Sequence, residues 1–160
     1  IYLIFKFRSF MALPSTSPPP NTPKRIRPVI SCLLKHKDEI LILKRSKLVG
    51  SFQGYWSCIS GYMEKEEDPL ETAFREVLEE TRMPKEEISN HLLEGPFYSE
   101  AADVVFEAHW VLMETKIKRI VLDWEHEDCQ WINSKKIPME KVVPWLPTLI
   151  EYLLAKAEDI

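Results

Sequence analysis

The sequence predicts a single-domain α/β fold, and three observations lead to this prediction. Short apolar runs rich in β-branched residues recur between residues 29 and 132 and have the length of strands. Amphipathic helices are predicted at 69–81 and at 144–157 from the spacing of their apolar residues. The chain has 160 residues, of which 45% are hydrophobic, and this is enough for one domain with its own core.

Residues 1–26 are predicted to be a disordered, proline-rich leader ahead of a domain that covers 27–160. The apolar run 1–10 is too short to cross a bilayer, which takes about 20 apolar residues. The prolines and serines of 14–23 are typical of a linker. A cytoplasmic location is expected, and mitochondrial targeting stays open because residues 1–37 contain cations but no acids.

Strands are predicted where apolar runs alternate or lie between turn-forming residues, at 29–34, 39–43, 56–59, 104–114 and 129–132. The polar link 35–38 suggests that the first two form a hairpin. Gly95 and Pro96 predict a turn ahead of Phe97 and Tyr98. In the fourth strand, alternate residues from Val104 to Leu112 are expected to face the core.

The helix at 69–81 has clear start and stop signals. Asp68 is placed to cap it, Pro69 suits the first helical position, and Glu71 lies in capping-box register. Pro84 predicts that the helix ends shortly before it. One face carries an apolar stripe that is expected to pack on the core, formed by Leu70, Ala73, Phe74, Val77 and Leu78.

Three carboxylates share the opposite face of this helix. Glu76, Glu79 and Glu80 are three and four residues apart, so their side chains are neighbours. Like charges at this spacing repel, and their grouping costs stability unless a cation lies among them. A hard divalent metal ion is the candidate cation. We call these three residues the carboxylate patch.

The stretch 61–83, GYMEKEEDPLETAFREVLEETRM, resembles the signature of the Nudix (MutT-like) hydrolases. That signature is G-x5-E-x7-R-E-U-x-E-E-x-G-U, where U is a bulky apolar residue. Eight required positions match, namely Gly61, Glu67, Arg75, Glu76, Val77, Glu79, Glu80 and Met83. Arg82 stands where the signature has its second glycine, and we expect this to affect the helix end and not the carboxylates.

The resemblance implies a Nudix-type α/β/α sandwich with a central mixed β-sheet. It also implies a pyrophosphohydrolase that uses Mg²⁺ or Mn²⁺ to hydrolyse a nucleoside diphosphate linked to another moiety. The implied metal ligands are the carboxylate patch and the carbonyl of Gly61. Arg75 and Glu67 are implied to pair and hold the glutamates in place.

Other candidate site residues lie outside the signature. Glu125 and Glu127 precede the strand at 129–132 and are candidates for an additional carboxylate, with a solvated loop as the alternative. Lys44 and Arg45 are candidates to contact substrate phosphate, and a charged surface edge explains them equally well.

Several other residue types have weaker signals. The aromatic residues that precede the signature either stack on a base or pack in the core, and they are Phe52, Tyr55 and Trp56. The histidines have no metal-ligand spacing, and the cysteines, at 32, 58 and 129, are expected to be free thiols.

The composition limits the partners that this chain can have. Its net charge of −4 argues against a general nucleic-acid or membrane-surface binder. The resemblance implies a small nucleotide substrate as the partner. A homodimer is left open. The competing hypothesis is a catalytically silent Nudix-fold module that binds nucleotides or regulates, either alone or as a domain of a larger protein.

Overall fold

The computed structural model describes residues 13–20, 25–138 and 140–159. Its regular elements in chain order are β1 Arg25–His36, β2 Glu39–Arg45, β3 Trp56–Ser57, β4 Ile59–Tyr62, α1 Pro69–Thr81, β5 Ile88–Ala101, β6 Val104–Thr115, β7 His126–Asn133 and α2 Leu146–Glu158. A short 3₁₀ turn, Lys85–Glu87, precedes β5. Within the described ranges, no helix has both the length and the apolar character that a bilayer crossing requires.

Strand β1 lies at the centre of a mixed β-sheet. It pairs in parallel with β6 along residues 25–35, and β5 continues the sheet antiparallel to β6. On its other edge, residues 29–32 pair with β4 and residues 35–36 with β2, both antiparallel. Strand β2 pairs in turn with β7 and β3. The partners of β1 therefore diverge along that edge, and the chain after β4 enters α1.

A helix covers each face of the sheet. Helix α1 buries Val77 on one face, in the same apolar cluster as Leu34 of β1. Helix α2 buries Leu149 on the other face, in the same cluster as Leu33. Neighbouring residues of β1 point to opposite faces because side chains alternate along a strand. These layers form an α/β/α sandwich, which confirms the predicted fold class.

Helix α1 begins and ends where its local signals predict. The Oδ1 atom of Asp68 accepts a hydrogen bond from the backbone N–H of Glu71 at 2.8 Å, and Glu71 Oε2 accepts one from the N–H of Asp68 at 3.3 Å. At the other end, Arg82 is left-handed, with φ of 59°, and its N–H donates to Leu78 O at 3.0 Å. The arginine thus closes the helix in a conformation that favours glycine, at a cost of about 1 kcal/mol.

The apolar stripe of α1 is narrower than predicted. Leu78 is 47% exposed, so its expected place in the core was wrong. The buried arc instead includes Thr72, Ala73 and Glu80 besides Val77. Glu80 was predicted on the face opposite the apolar stripe, and this was wrong, because it is buried on the same face as Ala73 and Val77. The helix is thus rotated about its axis, and Leu78 lies at the rim of the buried face.

The turn predicted at Gly95 and Pro96 was also wrong. Both residues lie within strand β5, where the pairing register with β6 shifts between Glu94 and Phe97. Such a bulge accommodates proline, which lacks the N–H that a regular ladder needs. A Gly-Pro pair, which is typical of a turn, therefore marks an irregularity inside one long edge strand.

Part of the predicted leader contacts the sheet. Ser15 forms an isolated antiparallel bridge with Tyr98 of β5, and the N–H of Tyr98 donates to Ser15 O at 2.7 Å. Of the residues before Arg25, 13–20 are described, and 1–12 and 21–24 lie outside the described residues. The domain boundary at 26 and the disorder of the leader stay predictions.

Two leucine variants test this packing. Leu149→Ala removes a side chain with no exposed surface, and we expect it to lower the free energy of unfolding by about 2–5 kcal/mol. Leu78→Ala is the matched control, because a half-exposed leucine at the rim is expected to change it by about 0.5 kcal/mol or less. Urea denaturation of both variants checks the prediction, and similar losses would contradict the burial described above.

Candidate active site

Gly61 of β4 lies directly beneath the carboxylate patch. A Cβ atom at this position would lie 2.2 Å from both Cδ and Oε1 of Glu76, closer than any two such atoms approach. Strand β4 is fixed in turn by its pairing with β1, where Gly61 is opposite Ile30. The missing side chain therefore allows the first glutamate of the patch to pack against the strand.

Arg75 connects the loop before α1 to the patch. Its Nε and Nη2 atoms donate to the two carboxylate oxygens of Glu67 at 2.8 and 2.9 Å, a bidentate pair. Its Nη1 donates to Glu76 Oε1 at 2.8 Å and to Glu79 Oε2 at 3.4 Å, and its Nη2 also reaches Tyr62 O at 3.2 Å. One guanidinium thus binds three carboxylates and the end of β4.

Glu67 is the anchor of this loop. It also accepts hydrogen bonds from the N–H of Glu64 at 2.8 Å and from Thr72 Oγ1 at 3.1 Å. The hydrogen bond from Arg75, followed by the one from Glu64, lowers the pKa of Glu67 from its ordinary value of 4.5 to about 2. The same pairing raises the pKa of Arg75, so both partners stay charged throughout the physiological range.

The members of the carboxylate patch differ in burial. The side chain of Glu80 is 2% exposed and that of Glu76 12%, whereas Glu79 is 55% exposed. Burial raises the pKa of Glu80 well above 4.5, and the charges of Glu76, Glu125 and Asp123 raise it further. Burial also raises the pKa of Glu76. The Oε2 atom of Glu80 has no hydrogen-bond partner, which is costly for a buried carboxylate.

The loop before β7 and the first residue of β7 bring further ligand atoms to Glu80. The Nε2 atom of His126 lies 3.5 Å from Glu80 Oε1, and its Nδ1 lies 2.9 Å from Asp123 Oδ1. Ligand atoms of Glu80, Glu125 and His126 all lie within 4.8 Å of one another. Burial, then the charge of Asp123, raises the pKa of Glu125. These three residues could hold a metal ion.

The two other predicted sets lie at the edge of this region. Glu127 pairs with Lys44, whose Nζ is 3.6 Å from Glu127 Oε1, so of the two candidate carboxylates only Glu125 joins the ligand group. The Nε atom of Arg45 donates to Ser51 O at 2.9 Å, which fixes the loop after β2. The charge of Arg45 offsets part of the rise in the pKa of Glu125 that burial and Asp123 cause. Lys44 and Arg45 thus place positive charge beside Glu127 and Glu125.

Sequence reasoning missed His126 and Asp123. The histidines were set aside because their spacing along the chain is not that of metal ligands. The available signal was the run DWEHED at 123–128, in which His126 follows the candidate Glu125. The contact with Glu80 arises because β7 pairs with β2 while α1 packs on the same sheet.

Two of the three aromatic residues serve the core. Tyr55 and Trp56 pack against the apolar cluster under α2. Phe52 is 39% exposed, and its ring lies 5.5 Å from the rings of both Tyr55 and Trp145. Phe52 is therefore the only one of the three predicted aromatics with a large exposed face.

The three cysteines are free thiols, as expected. Cys32 and Cys58 are buried, and burial raises the pKa of Cys58 from 9.0 to about 12. A neutral buried thiol is not a nucleophile.

Two features define a class of hydrolase. One is the α/β/α sandwich, and the other is the arginine that hydrogen-bonds the glutamates of a helix next to the glycine of the preceding strand. A family model described as NUDIX domain matches residues 24–153, and the chain belongs to this family. The predicted enzyme class, a Nudix pyrophosphohydrolase, is confirmed, and Nudix hydrolases act on small nucleotide substrates.

Individual relatives agree with this family. The chain is 29% identical over 114 residues to a dihydroneopterin triphosphate diphosphatase of Haemophilus influenzae, covering 64% of this chain and 70% of that protein. The fold of this chain is similar to that of an Ap4A hydrolase from C. elegans, solved as a binary complex, with a TM-score of 0.66 and 19% identity. The match covers 84% of this chain and 99% of that one. A MutT protein from Methanosarcina mazei also has a TM-score of 0.66 and 19% identity, over 86% and 99%.

The Glu67–Arg75 pair predicts a specific pH dependence of stability. Because the pKa of Glu67 is lowered from 4.5 to about 2 by folding, its carboxylate stabilises the native state above pH 4.5. This contribution is lost as the pH falls through 4.5 towards 2. We expect Glu67→Gln to be less stable than the parent chain at pH 6 and the gap to shrink at pH 2.5.

Urea denaturation at both pH values measures this gap. Glu151→Gln is the control, because Glu151 lies exposed on α2 and its neutral variant should follow the parent at each pH. A gap for Glu67→Gln that is independent of pH would contradict the pairing.

The close approach of Gly61 to Glu76 predicts a loss of activity on adding one methyl group. Gly61→Ala must displace the Glu76 side chain, and we expect hydrolysis to fall about 100-fold in kcat/KM while the fold is retained. Gly50→Ala is the matched control, because a Cβ at Gly50 meets no atom within 4 Å. Equal activity of the two variants would show that the approach of Gly61 has no role.

Proposed function

We propose that this chain hydrolyses the diphosphate bond of a nucleoside diphosphate linked to another moiety, with Mg²⁺ or Mn²⁺ as its cofactor. The observation that carries the proposal is the environment of Glu80. Its buried carboxylate has one oxygen without a partner and lies among other acids that disfavour its charge. A divalent cation supplies the missing partner and offsets the repulsion.

The residues of the carboxylate patch fit such an ion. Glu76, Glu79, Glu80 and the carbonyl of Gly61 offer oxygen ligands, which Mg²⁺ and Mn²⁺ both accept. All four groups lie on α1 or on the strand that Glu76 touches. When bound, the metal neutralises phosphate charge and lowers the pKa of a bound water.

Arg75 and Glu67 have a positioning role in this proposal. The guanidinium already donates to Glu67, Glu76 and Glu79, so its hydrogen-bonding capacity is spent within the protein. It fixes the loop, the helix and the patch relative to one another. The oxygen ligands are therefore held before substrate arrives, which lowers the entropic cost of reaching a reactive geometry.

The remaining groups act on the substrate and on water. Lys44 and Arg45 are proposed to contact its phosphates, since both lie at the end of β2 beside the acids. Glu125 is proposed as the additional carboxylate. A water oxygen attacks phosphorus, a carboxylate of the site accepts its proton, and the anhydride P–O bond breaks to release the leaving phosphate.

Product analysis on a panel of nucleotides tests the proposal. The first compound to test is dihydroneopterin triphosphate, because the Haemophilus influenzae relative is named for its hydrolysis. The panel also contains ADP-ribose, dinucleoside polyphosphates, nucleoside triphosphates, nicotinamide dinucleotides and coenzyme A. We expect cleavage of at least one compound with Mg²⁺ or Mn²⁺ and none with a chelator. Incorporation of ¹⁸O from water into one product identifies the attacked phosphorus.

Two glutamine variants assign the reaction to the carboxylate patch. Glu79→Gln and Glu80→Gln are expected to lower kcat about 100-fold or more, because each removes a charge that stabilises the metal-bound transition state. Glu151→Gln on the exposed face of α2 should retain full activity. A folded parent chain that cleaves nothing in the panel with either metal would overturn the proposal and favour a silent nucleotide-binding module.

A further inference from the structure

We infer that Glu80, Glu125 and His126 form a mixed nitrogen and oxygen metal position, so that this chain prefers a first-row transition-metal ion such as Mn²⁺ to Mg²⁺. The inference rests on the proposed function, in which the glutamates of α1 bind a divalent cation. It adds a nitrogen ligand from outside the signature 61–83, and a criterion for choosing between the two ions.

The orientation of the imidazole is the first argument. A carboxylate can only accept hydrogen bonds, so the 2.9 Å contact with Asp123 places the ring proton of His126 on Nδ1. The Nε2 atom is therefore the ring nitrogen that is free to bind a metal, and it lies 3.5 Å from Glu80 Oε1. One metal ion bound by both atoms would give each of them a partner.

Burial and charge favour a divalent cation at this position. The side chains of His126 and Glu80 are each 2% exposed, so solvent screens their charges poorly. Asp123, Glu80 and Glu125 surround the single imidazole. The unpartnered Oε2 atom of Glu80 gives such an ion a further ligand.

The contact with Asp123 has the form expected behind a metal-binding histidine. Such a histidine usually donates its other ring N–H to a carboxylate, which fixes the ring and makes the ligating nitrogen more basic. Imidazole nitrogen is a poor ligand for Mg²⁺ and a good one for first-row transition ions. Mn²⁺ is the weakest binder in that series, so a preference for it over Mg²⁺ is a demanding test.

Pulsed electron paramagnetic resonance on the Mn²⁺-loaded parent chain tests the inference without any variant. We expect electron spin-echo modulation from a directly bound ¹⁴N nucleus. Calorimetry should show Mn²⁺ binding at least about tenfold more tightly than Mg²⁺. His126→Gln should remove the nitrogen modulation and weaken Mn²⁺ binding, and Asp123→Asn should weaken it about 10–100-fold.

His91→Gln is the matched control, because His91 lies exposed on β5 and stacks edge-on against Phe74 instead of facing the acids. Bound Mn²⁺ without nitrogen modulation would overturn the inference, as would a folded His126→Gln variant with unchanged Mn²⁺ affinity. If that variant does not fold, the spectrum of the parent chain still decides.

The proposed function fails separately. Nitrogen-coupled Mn²⁺ without hydrolysis would support the metal position and contradict the activity. Hydrolysis with Mg²⁺, together with bound Mn²⁺ that shows no nitrogen coupling, would support the activity and contradict the metal position.

Discussion

The bidentate pair between Arg75 and Glu67 is the interaction on which the rest of the site depends. It joins the loop after β4 to helix α1, and the same guanidinium reaches Glu76, Glu79 and the carbonyl of Tyr62. Without this cation, the glutamates of α1 would repel one another and would have no fixed relation to the strand beneath them. The pair therefore holds the acids of α1 in fixed positions relative to the loop and to β4.

Among the glutamates of α1, Glu80 has the least favourable environment for a charge. Its carboxylate is buried on the face of α1 that packs against the sheet, and its pKa is raised by burial and by its acidic neighbours. A buried charge without a full set of partners destabilises the fold that contains it. The α/β/α layers supply the compensating stability, since apolar side chains are buried on both faces of the sheet.

Local signals were sufficient for some elements and misleading for others. The bounds of α1 follow from its cap, its first proline and its periodicity, all of which act within one or two helical turns. Gly95 and Pro96 were misread because their meaning depends on β6, which they bulge away from. Val111 and Met113 are buried although alternation predicts that they face away from the core, since both faces of β6 are covered.

The sequence by itself determined the family, the fold class and the carboxylate patch, because the signature 61–83 is contiguous and its spacing is read along one loop and one helix. Only the tertiary structure decided that Glu80 is buried and that Asp123, Glu125 and His126 surround it. The physical reason is the pairing of β7 with β2 beneath α1, which joins residues far apart in the chain. No local pattern encodes such a distance.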